Sequence, residues 1–200
     1  MIRGIVFDLF DTLVDQNHRR LAPIEVGGRR MAATLPDLHA FARERAGIAQ
    51  DLVAFADLLD AVDAELRRTT IDVGVELPTV DRFEALAERL GVDEARALGE
   101  ALTRVHMGAL QAAVTVPDHH EAVLVTLAAR HRLGLCSNFS HGETARAVVA
   151  EAGFTPHLRA VLISDEVGIS RERVRQIEYK AHQQLRSFLE RRGIGPCRLD

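Results

Sequence analysis

The 200-residue chain contains no tryptophan, one tyrosine, two cysteines and a single lysine, Lys180. Two cysteines are too few for a disulfide framework, which indicates a reduced environment. No apolar run is long enough to cross a bilayer. Asp8 and Asp11 interrupt the start of the chain, where a signal peptide would need an unbroken apolar run. We therefore expect a cytoplasmic protein that makes no use of a membrane.

The rest of the composition is typical of a globular protein. Apolar residues make up 47% of the chain and charged residues 27%, both ordinary fractions. This length suits one domain, or one domain with a smaller inserted one. The net charge of −4 gives no reason to expect a polyanion as partner of the whole chain, but it is compatible with a local basic patch.

Residues 4–13 are the most informative stretch, because an apolar run ends there abruptly in a carboxylate. The run at 2–7 predicts a short buried strand with Asp8 at its carboxyl end. Open α/β sheets place their ligand sites at that end. A carboxylate fixed there can act as a nucleophile or hold a cation. The alternative is that Asp8 and Asp11 only cap the next segment.

A helical block separates this stretch from a second region of α/β character. Apolar residues recur there at three- and four-residue spacing, which predicts helices at 38–46, 52–66, 82–90 and 94–113. The same reasoning predicts helices and strands in alternation beyond Pro117. They are a helix at 121–129, a strand at 132–136, a helix at 143–152 and a strand at 160–164.

Ser137 and Asn138 follow the predicted strand at 132–136 as Asp8 follows the first strand. Hydroxyl and amide groups in that position can hydrogen-bond the oxygens of a bound anion. The alternative is a polar turn into the next helix. Ser140 and Glu143 have the spacing of a capping box, which predicts Ser140 as the N-cap. Capping leaves Ser137 and Asn138 without a structural role.

Two polar strand ends and an acidic third one together resemble the motifs of the haloacid dehalogenase-like hydrolases. The residues that carry the resemblance are Phe7-Asp8-Leu9-Phe10-Asp11-Thr12-Leu13, Cys136-Ser137-Asn138-Phe139-Ser140 and Asp165-Glu166-Val167-Gly168. The resemblance covers residues 1–168 and implies an α/β fold, with a Rossmann-like parallel sheet and an inserted helical cap. It places the core at 1–15 and 115–168 and the cap at 16–114.

The resemblance also assigns roles at the strand ends. It implies that Asp8 is the nucleophile of a hydrolase, that Thr12 steadies the site, and that Ser137 and Asn138 bind the anionic group of a small substrate. Phe10 would contact the substrate. Phosphatases of the family carry a second aspartate at that position, and a phosphate ester with a poor leaving group needs such a proton donor.

Phe10 therefore favours carbon–halogen cleavage, since a halide leaves without protonation and the dehalogenases have an aromatic residue there. We expect no cofactor, or Mg²⁺ at Asp8 if the chemistry is phosphatase-like.

The later motifs of the family are missing. Ser170 or Arg171 stands where the family has a lysine that balances the nucleophile's charge, and no later acidic strand end follows. We therefore expect a sheet truncated in its C-terminal part. The first strand would then be an edge through which copies could self-associate. A catalytically inactive protein that keeps the fold is an open alternative.

Residues 169–192 differ in composition from the rest of the chain. The part at 170–192 carries a net charge of +4, whereas the remaining residues carry −8. Its apolar residues form one helical stripe, which predicts a basic amphipathic helix and leaves a tail at 193–200. The stripe consists of Val174, Ile177, Ala181, Leu185 and Phe188.

The run at 168–186 resembles the recognition helix in region four of bacterial sigma factors. That resemblance implies an alternative function in which the helix binds DNA in the major groove. The residues that would then face DNA are Arg171, Arg173, Arg175 and Gln176. The other interpretation is a charged helix that packs by its apolar stripe against the sheet.

Overall fold

The computed structural model of the chain describes residues 4–69, 77–167, Tyr179 and Gln183. The predicted helix at 169–192 lies outside these residues except at those last two positions. The described residues form an α/β fold with a parallel sheet, as the sequence predicts.

Helices and strands occur close to where the apolar spacing predicts them, and the four predicted cap helices have ends displaced by at most three residues. In chain order the strands and helices are β1 (Gly4–Phe7), β2 (Asp15–Gln16), β3 (Ile24–Val26), β4 (Arg29–Met31), α1 (Leu35–Ala46), α2 (Leu52–Thr69), α3 (Thr79–Arg89), α4 (Ala95–Ala112), β5 (Val114–Thr115), α5 (His120–Ala128), β6 (Arg132–Ser137), α6 (Gly142–Glu151), β7 (Leu158–Ile163) and α7 (Ser164–Val167).

The sheet has three parallel strands in the order β1-β6-β7. Phe7 of β1 lies opposite Leu135 of β6, and Ser137 of β6 lies opposite Ile163 of β7. The carboxyl ends of all three strands therefore meet at one edge of the sheet. Within the described residues β1 pairs only with β6, so β1 is an edge strand of the sheet that these residues form, as the missing C-terminal motifs predict.

The two faces of the sheet differ in how well they are covered. On one face Ile5, Phe7 and Leu135 pack into a hydrophobic cluster with side chains of α4, α5 and α6. On the other face Val6 is 70% exposed and Leu162 is 44% exposed. Parallel sheets are normally buried on both faces, so half of this sheet has little cover from the described residues.

A second hydrophobic cluster lies among the four long helices and the β3–β4 hairpin. Its members recur along each helix at the spacing that puts them on one face, as Phe55 and Leu59 do on α2. The largest buried residues of this cluster are Phe55, Phe83, Leu35, Leu38, Leu86 and Leu102. We call this part of the chain the helical unit. Assigning it to a cap with boundaries at 16 and 114 remains a prediction.

The chain enters and leaves the helical unit side by side. Asp15 lies opposite Thr115 and Gln16 opposite Val114 in the antiparallel β2–β5 ribbon. The N–H of Asn17 extends the ribbon by donating to the carbonyl of Ala113 at 2.7 Å. None of the helices in the described ranges is long and apolar enough to cross a membrane.

Candidate functional site

The polar residues predicted at the first two strand ends lie at neighbouring positions of the sheet edge. Asp8 follows Phe7, which pairs with Leu135 of β6. Asp8 therefore lies next to the last residues of β6, and Ser137 is the final one. Asn138 follows it, and Ser164 follows the third strand. The arrangement is the one in which open α/β sheets bind their ligands.

A tight turn after β1 fixes the position of the Asp8 side chain. The N–H of Leu9 donates to Asp8 Oδ1 at 2.8 Å, and the carbonyl of Leu9 accepts from the N–H groups of Leu13 and Val14 at 2.9 and 3.0 Å. Asp11 completes the turn in a left-handed conformation with φ 56°, a region that aspartate tolerates better than most residues. Thr12 is exposed in the same turn.

The surroundings of Asp8 disfavour its charged form. Loss of hydration around the carboxyl raises the pKa of Asp8 above its ordinary value of 3.8, and the charge of Asp11 raises it further, whereas the hydrogen bond from Leu9 opposes both. No cation of the described chain appears among these influences. A bound anionic substrate would disfavour the charge of Asp8 still more.

Ser137 has an unmet hydrogen-bonding capacity. Its residue is 1% exposed, and its Oγ is the one buried side-chain oxygen or nitrogen without a hydrogen-bond partner in the part of the chain that the structure describes. A buried hydroxyl without a partner costs free energy, and such groups in native proteins call for a functional or solvent explanation. Ser137 is therefore a candidate ligand-binding group.

A pair of aromatic rings joins the two loops that carry these groups. Phe10 stacks on Phe139 with ring centroids 4.7 Å apart and planes inclined by 36°. Phe139 is buried, and its carbonyl accepts from Ser164 Oγ at 3.3 Å. Ser164 Oγ also lies 3.5 Å from Asn138 Oδ1. The turn after β1, the loop after β6 and the end of β7 are thus joined by contacts.

The acidic residues that follow β7 form hydrogen bonds and an ion pair with α6. Asp165 Oδ2 accepts from the N–H of Gly142, the first residue of α6, at 2.8 Å. Glu166 forms a two-pronged ion pair with Arg146, and the hydrogen bond from that guanidinium lowers the pKa of Glu166. Both carboxylates therefore stabilise α6 from the sheet edge, a role that their place in the sequence does not reveal.

Few metal-ligating side chains accompany Asp8 among the described residues. Among residues 4–69 and 77–167 no three His, Cys, Asp or Glu side chains lie close enough to hold a metal ion together. Asp11 Oδ1 accepts from the N–H of Gln16 at 3.3 Å and lies 3.5 Å from His18 Nε2, and Asp165 serves α6. Mg²⁺ at Asp8 remains a prediction, and the chemistry proposed below requires none.

Sequence reasoning was wrong about the cap of α6. The helix begins at Gly142, and His141 is its N-cap, with Nδ1 accepting from the N–H of Thr144 at 3.3 Å. The expected N-cap, Ser140, instead contacts Thr79 of the helical unit, with the two hydroxyl oxygens 2.9 Å apart. The Ser140 hydroxyl therefore contacts a residue distant in sequence instead of capping the adjacent helix.

Other functional expectations fall where the structure gives no description. The four residues predicted to face DNA and the tail at 193–200 lie outside the described residues, so DNA binding by that helix remains a prediction. The four residues that the sequence predicts to face DNA are Arg171, Arg173, Arg175 and Gln176.

Comparison with solved structures supports the fold through one similarity. The chain superimposes on a 2-haloacid dehalogenase from Pseudomonas syringae pv. Tomato DC3000 with a TM-score of 0.60 and 19% sequence identity, covering 84% of this chain and 66% of that one. An L-2-haloacid dehalogenase from Xanthobacter autotrophicus gives a TM-score of 0.39 at 21% identity, covering 85% of this chain and 60% of that one. The first similarity shows the fold, and the chain spans just under two thirds of that neighbour.

Sequence comparison gives a different relative. The RNA polymerase sigma factor RpoS of Coxiella burnetii (strain RSA 493 / Nine Mile phase I) is 30% identical over 148 residues, which cover 70% of this chain and 35% of that protein. The chain thus spans about a third of the sigma factor. The match extends over more of the chain than residues 169–192. No family model matches the sequence.

Proposed function

We propose that the chain is a hydrolase of the haloacid dehalogenase-like kind that uses Asp8 as nucleophile on a small anionic substrate, with 2-haloacids favoured over phosphate esters. The observation that carries the proposal is the buried hydroxyl of Ser137, which lacks a partner at the strand end beside Asp8. A ligand oxygen would supply the missing hydrogen bond, and the adjacent carboxylate would then act on that ligand.

The proposed reaction has two covalent steps. In the first, a carboxylate oxygen of Asp8 attacks the carbon that carries the halogen; the carbon–oxygen bond forms as the carbon–halogen bond breaks, and the halide leaves with the electron pair. In the second, water attacks the carbonyl carbon of the resulting ester. The hydroxy acid leaves, one proton is released to solvent, and the Asp8 carboxylate is restored.

Ser137 and Asn138 would orient the substrate rather than react with it. The Ser137 hydroxyl and the Asn138 amide group can each donate a hydrogen bond to the substrate carboxylate. Phe10, stacked on the buried ring of Phe139, is partly exposed and would offer an apolar surface suited to a haloalkyl group. The turn that contains Thr12 holds Asp8 in place through the Leu9 contacts described above.

The charge balance of the site sets an expectation for the rate. Attack requires the ionised form of Asp8, which its surroundings disfavour, and two negative groups must approach each other. A positioned cation normally offsets this, and loss of one such electrostatic contact costs about 3 kcal/mol of transition-state stabilisation. We therefore expect slow turnover unless a group outside the described residues supplies the cation.

The test is to measure chloride release from 2-chloropropionate and phosphate release from p-nitrophenyl phosphate, each with and without magnesium. Wild type is compared with Asp8→Asn and Ser137→Ala. Chloride release that disappears in Asp8→Asn and weakens in Ser137→Ala is the expected result. Phosphate release that depends on magnesium would overturn the assignment of Phe10. A folded wild type that turns over neither substrate would favour the catalytically inactive alternative.

DNA binding is the second candidate, and the match to RpoS favours it. Basic side chains alone give weak binding that falls steeply with salt, whereas sequence readout needs a helix held at a fixed angle in the groove. Fluorescence anisotropy with promoter-like and scrambled duplexes at two salt concentrations separates these cases. Affinity that ignores sequence and vanishes at moderate salt would argue against a sigma-like function.

A further inference from the structure

Thr79, the first residue of α3, is bonded to the loop that follows β6. Its Oγ1 lies 2.9 Å from Ser140 Oγ and 3.4 Å from the Ser140 carbonyl oxygen, and its N–H donates to the same carbonyl at 3.3 Å. Thr79 is 6% exposed, and its side-chain contacts with Ser140 are partly shielded from water. The contact joins residues that are 61 positions apart in the sequence.

The loop after β6, whose Ser140 carbonyl accepts the hydrogen bonds from Thr79, also carries the proposed substrate-binding groups. Ser140 stands two residues after Asn138 and three after Ser137. The sheet layer already holds this loop from other sides, through the ring of Phe10 and the hydroxyl of Ser164. Because His141 caps α6, the Ser140 hydroxyl is free to contact the helical unit.

Another polar contact between the helical unit and the sheet layer lies far from this loop. Gln111 Nε2 donates to Glu151 Oε1 at 2.7 Å, and Glu151 is the last residue of α6, whereas Ser140 precedes its first turn. The Gln111 contact is exposed to solvent. Within the described residues, Thr79 thus gives a buried polar link to the end of α6 that faces the site.

We propose that Thr79 is a positioning residue: acting through Ser140, it holds the loop with Ser137 and Asn138 in its substrate-binding arrangement while the helical unit packs against the sheet. This inference rests on the proposed function for its catalytic consequence, but not for the coupling itself. If α3 moves away, two hydroxyl contacts and one backbone bond with Ser140 are lost together, so loop order and docking of the helical unit become one event.

The coupling can be tested without catalysis, by hydrogen exchange of the full-length chain followed by mass spectrometry of the peptide that spans residues 137–144. Thr79→Val keeps the shape but removes the hydroxyl, and we expect exchange in this peptide to accelerate about fivefold, the factor for one ordinary hydrogen bond. Thr79→Ser keeps the hydroxyl and should restore protection. Ser140→Ala should reproduce the effect of Thr79→Val, and the double variant should add nothing further.

Thr103→Val is the matched control. Thr103 is a buried threonine of the same helical unit, and its hydroxyl donates to the carbonyl of Gly99 within its own helix at 2.8 Å. Its loss should leave the 137–144 peptide unchanged. Equal acceleration in Thr103→Val and Thr79→Val would overturn the coupling, because it would show general loosening. Unchanged exchange in Thr79→Val would overturn it as well.

Activity then separates this inference from the proposed function. If wild type releases chloride, Thr79→Val should raise KM about fivefold while kcat changes less, and Thr79→Ser should recover most of the loss. If wild type releases nothing but the exchange results hold, the proposed function fails and the coupling stands. If wild type is active and KM is unchanged in a Thr79→Val protein that exchanges faster, the positioning role is refuted.

Discussion

The rings of Phe10 and Phe139 stack with their centroids 4.7 Å apart, although the two residues follow different strands. The stack joins the turn after β1 to the loop after β6. Phe10 stands two residues after Asp8, and Phe139 stands two residues after Ser137. The two rings should therefore be coupled energetically as well as spatially.

Replacing Phe10 or Phe139 by leucine should show that coupling in a double-mutant cycle. Leucine keeps much of the apolar area but removes the ring–ring contact, which contributes about 1 kcal/mol beyond area burial. Urea unfolding of the two single variants and the double variant measures it. Strictly additive losses would mean that the rings touch without stabilising each other.

Two serines with the same burial should respond in opposite ways to substitution by alanine. Ser137 and Ser164 are each 1% exposed, but only Ser137 lacks a partner. Ser137→Ala removes an unsatisfied hydroxyl and should leave stability unchanged or raise it by about 1 kcal/mol, whereas Ser164→Ala should lower it by about 1 kcal/mol. Denaturant midpoints decide this, and a clear destabilisation by Ser137→Ala would mean that the hydroxyl already has a partner.

The Asp8→Asn variant should be more stable than wild type at neutral pH. The folded state raises the pKa of Asp8 above its ordinary value of 3.8. Just above pH 3.8 the native chain therefore binds more protons than the unfolded chain. The stability of the wild type then falls as the pH rises through this window. Asparagine removes this cost. The difference in Tm should shrink as pH falls toward the ordinary value, and a lower Tm for Asp8→Asn at pH 7 would contradict the raised pKa.

His106 should make the helical unit sensitive to acid. Burial first, and the charge of Arg82 second, lower the pKa of His106 from 6.5 to about 4; its Nδ1 lies 2.8 Å from Thr34 Oγ1. The unfolded chain therefore binds the proton more readily, and stability is lost as pH falls from about 6.5 to 4, by about 3 kcal/mol in total.

His106→Asn should flatten that pH dependence, since an amide can replace Nδ1 as a partner of Thr34 without titrating. Thr103→Val, a buried change in the same helix, should lower stability by a similar amount at every pH and so keep the slope. Unfolding free energies between pH 4 and 7 measure both. An unchanged slope in His106→Asn would assign the acid sensitivity to another group.

The open edge of β1 should promote self-association. Its backbone groups have no second neighbouring strand in the described chain, Val6 is 70% exposed, and unprotected edges pair with other chains. Val6→Lys places a charge there and should shift sedimentation toward the monomer. Val123→Lys, at a 45% exposed valine on α5, is the control and should have no effect. Monomeric wild type at high concentration would show that the edge is protected.

Sequence reasoning succeeded where the signal is local. Apolar spacing of 3.6 places α1 to α4 within a few residues, and the apolar run before Asp8 predicts β1 because a strand buried on one face must be apolar there. The edge position of β1 among the described strands was predicted from the absence of the later family motifs. The places of Asp8, Ser137 and Asn138 at strand ends were predicted by the same local rule, although their roles remain predictions.

What could not be predicted depends on contacts between distant residues. Ser140 has the spacing of a cap, yet its hydroxyl contacts Thr79, and no local pattern records a partner in another helix. Asp165 and Glu166 look like site carboxylates in sequence but hold α6. The missing partner of Ser137 depends on three-dimensional packing, so only the structure distinguishes it from Ser164.

The β2–β5 ribbon sets how the protein can be assembled and rebuilt. Because Gln16 and Val114 are paired neighbours, the chain enters and leaves the helical unit through the same two-stranded ribbon. Insertions with adjacent ends are tolerated because the host can close over the gap with a short turn. A gene could therefore gain, lose or exchange this unit as one piece, and the same sheet could carry a different insertion at this point without being redesigned.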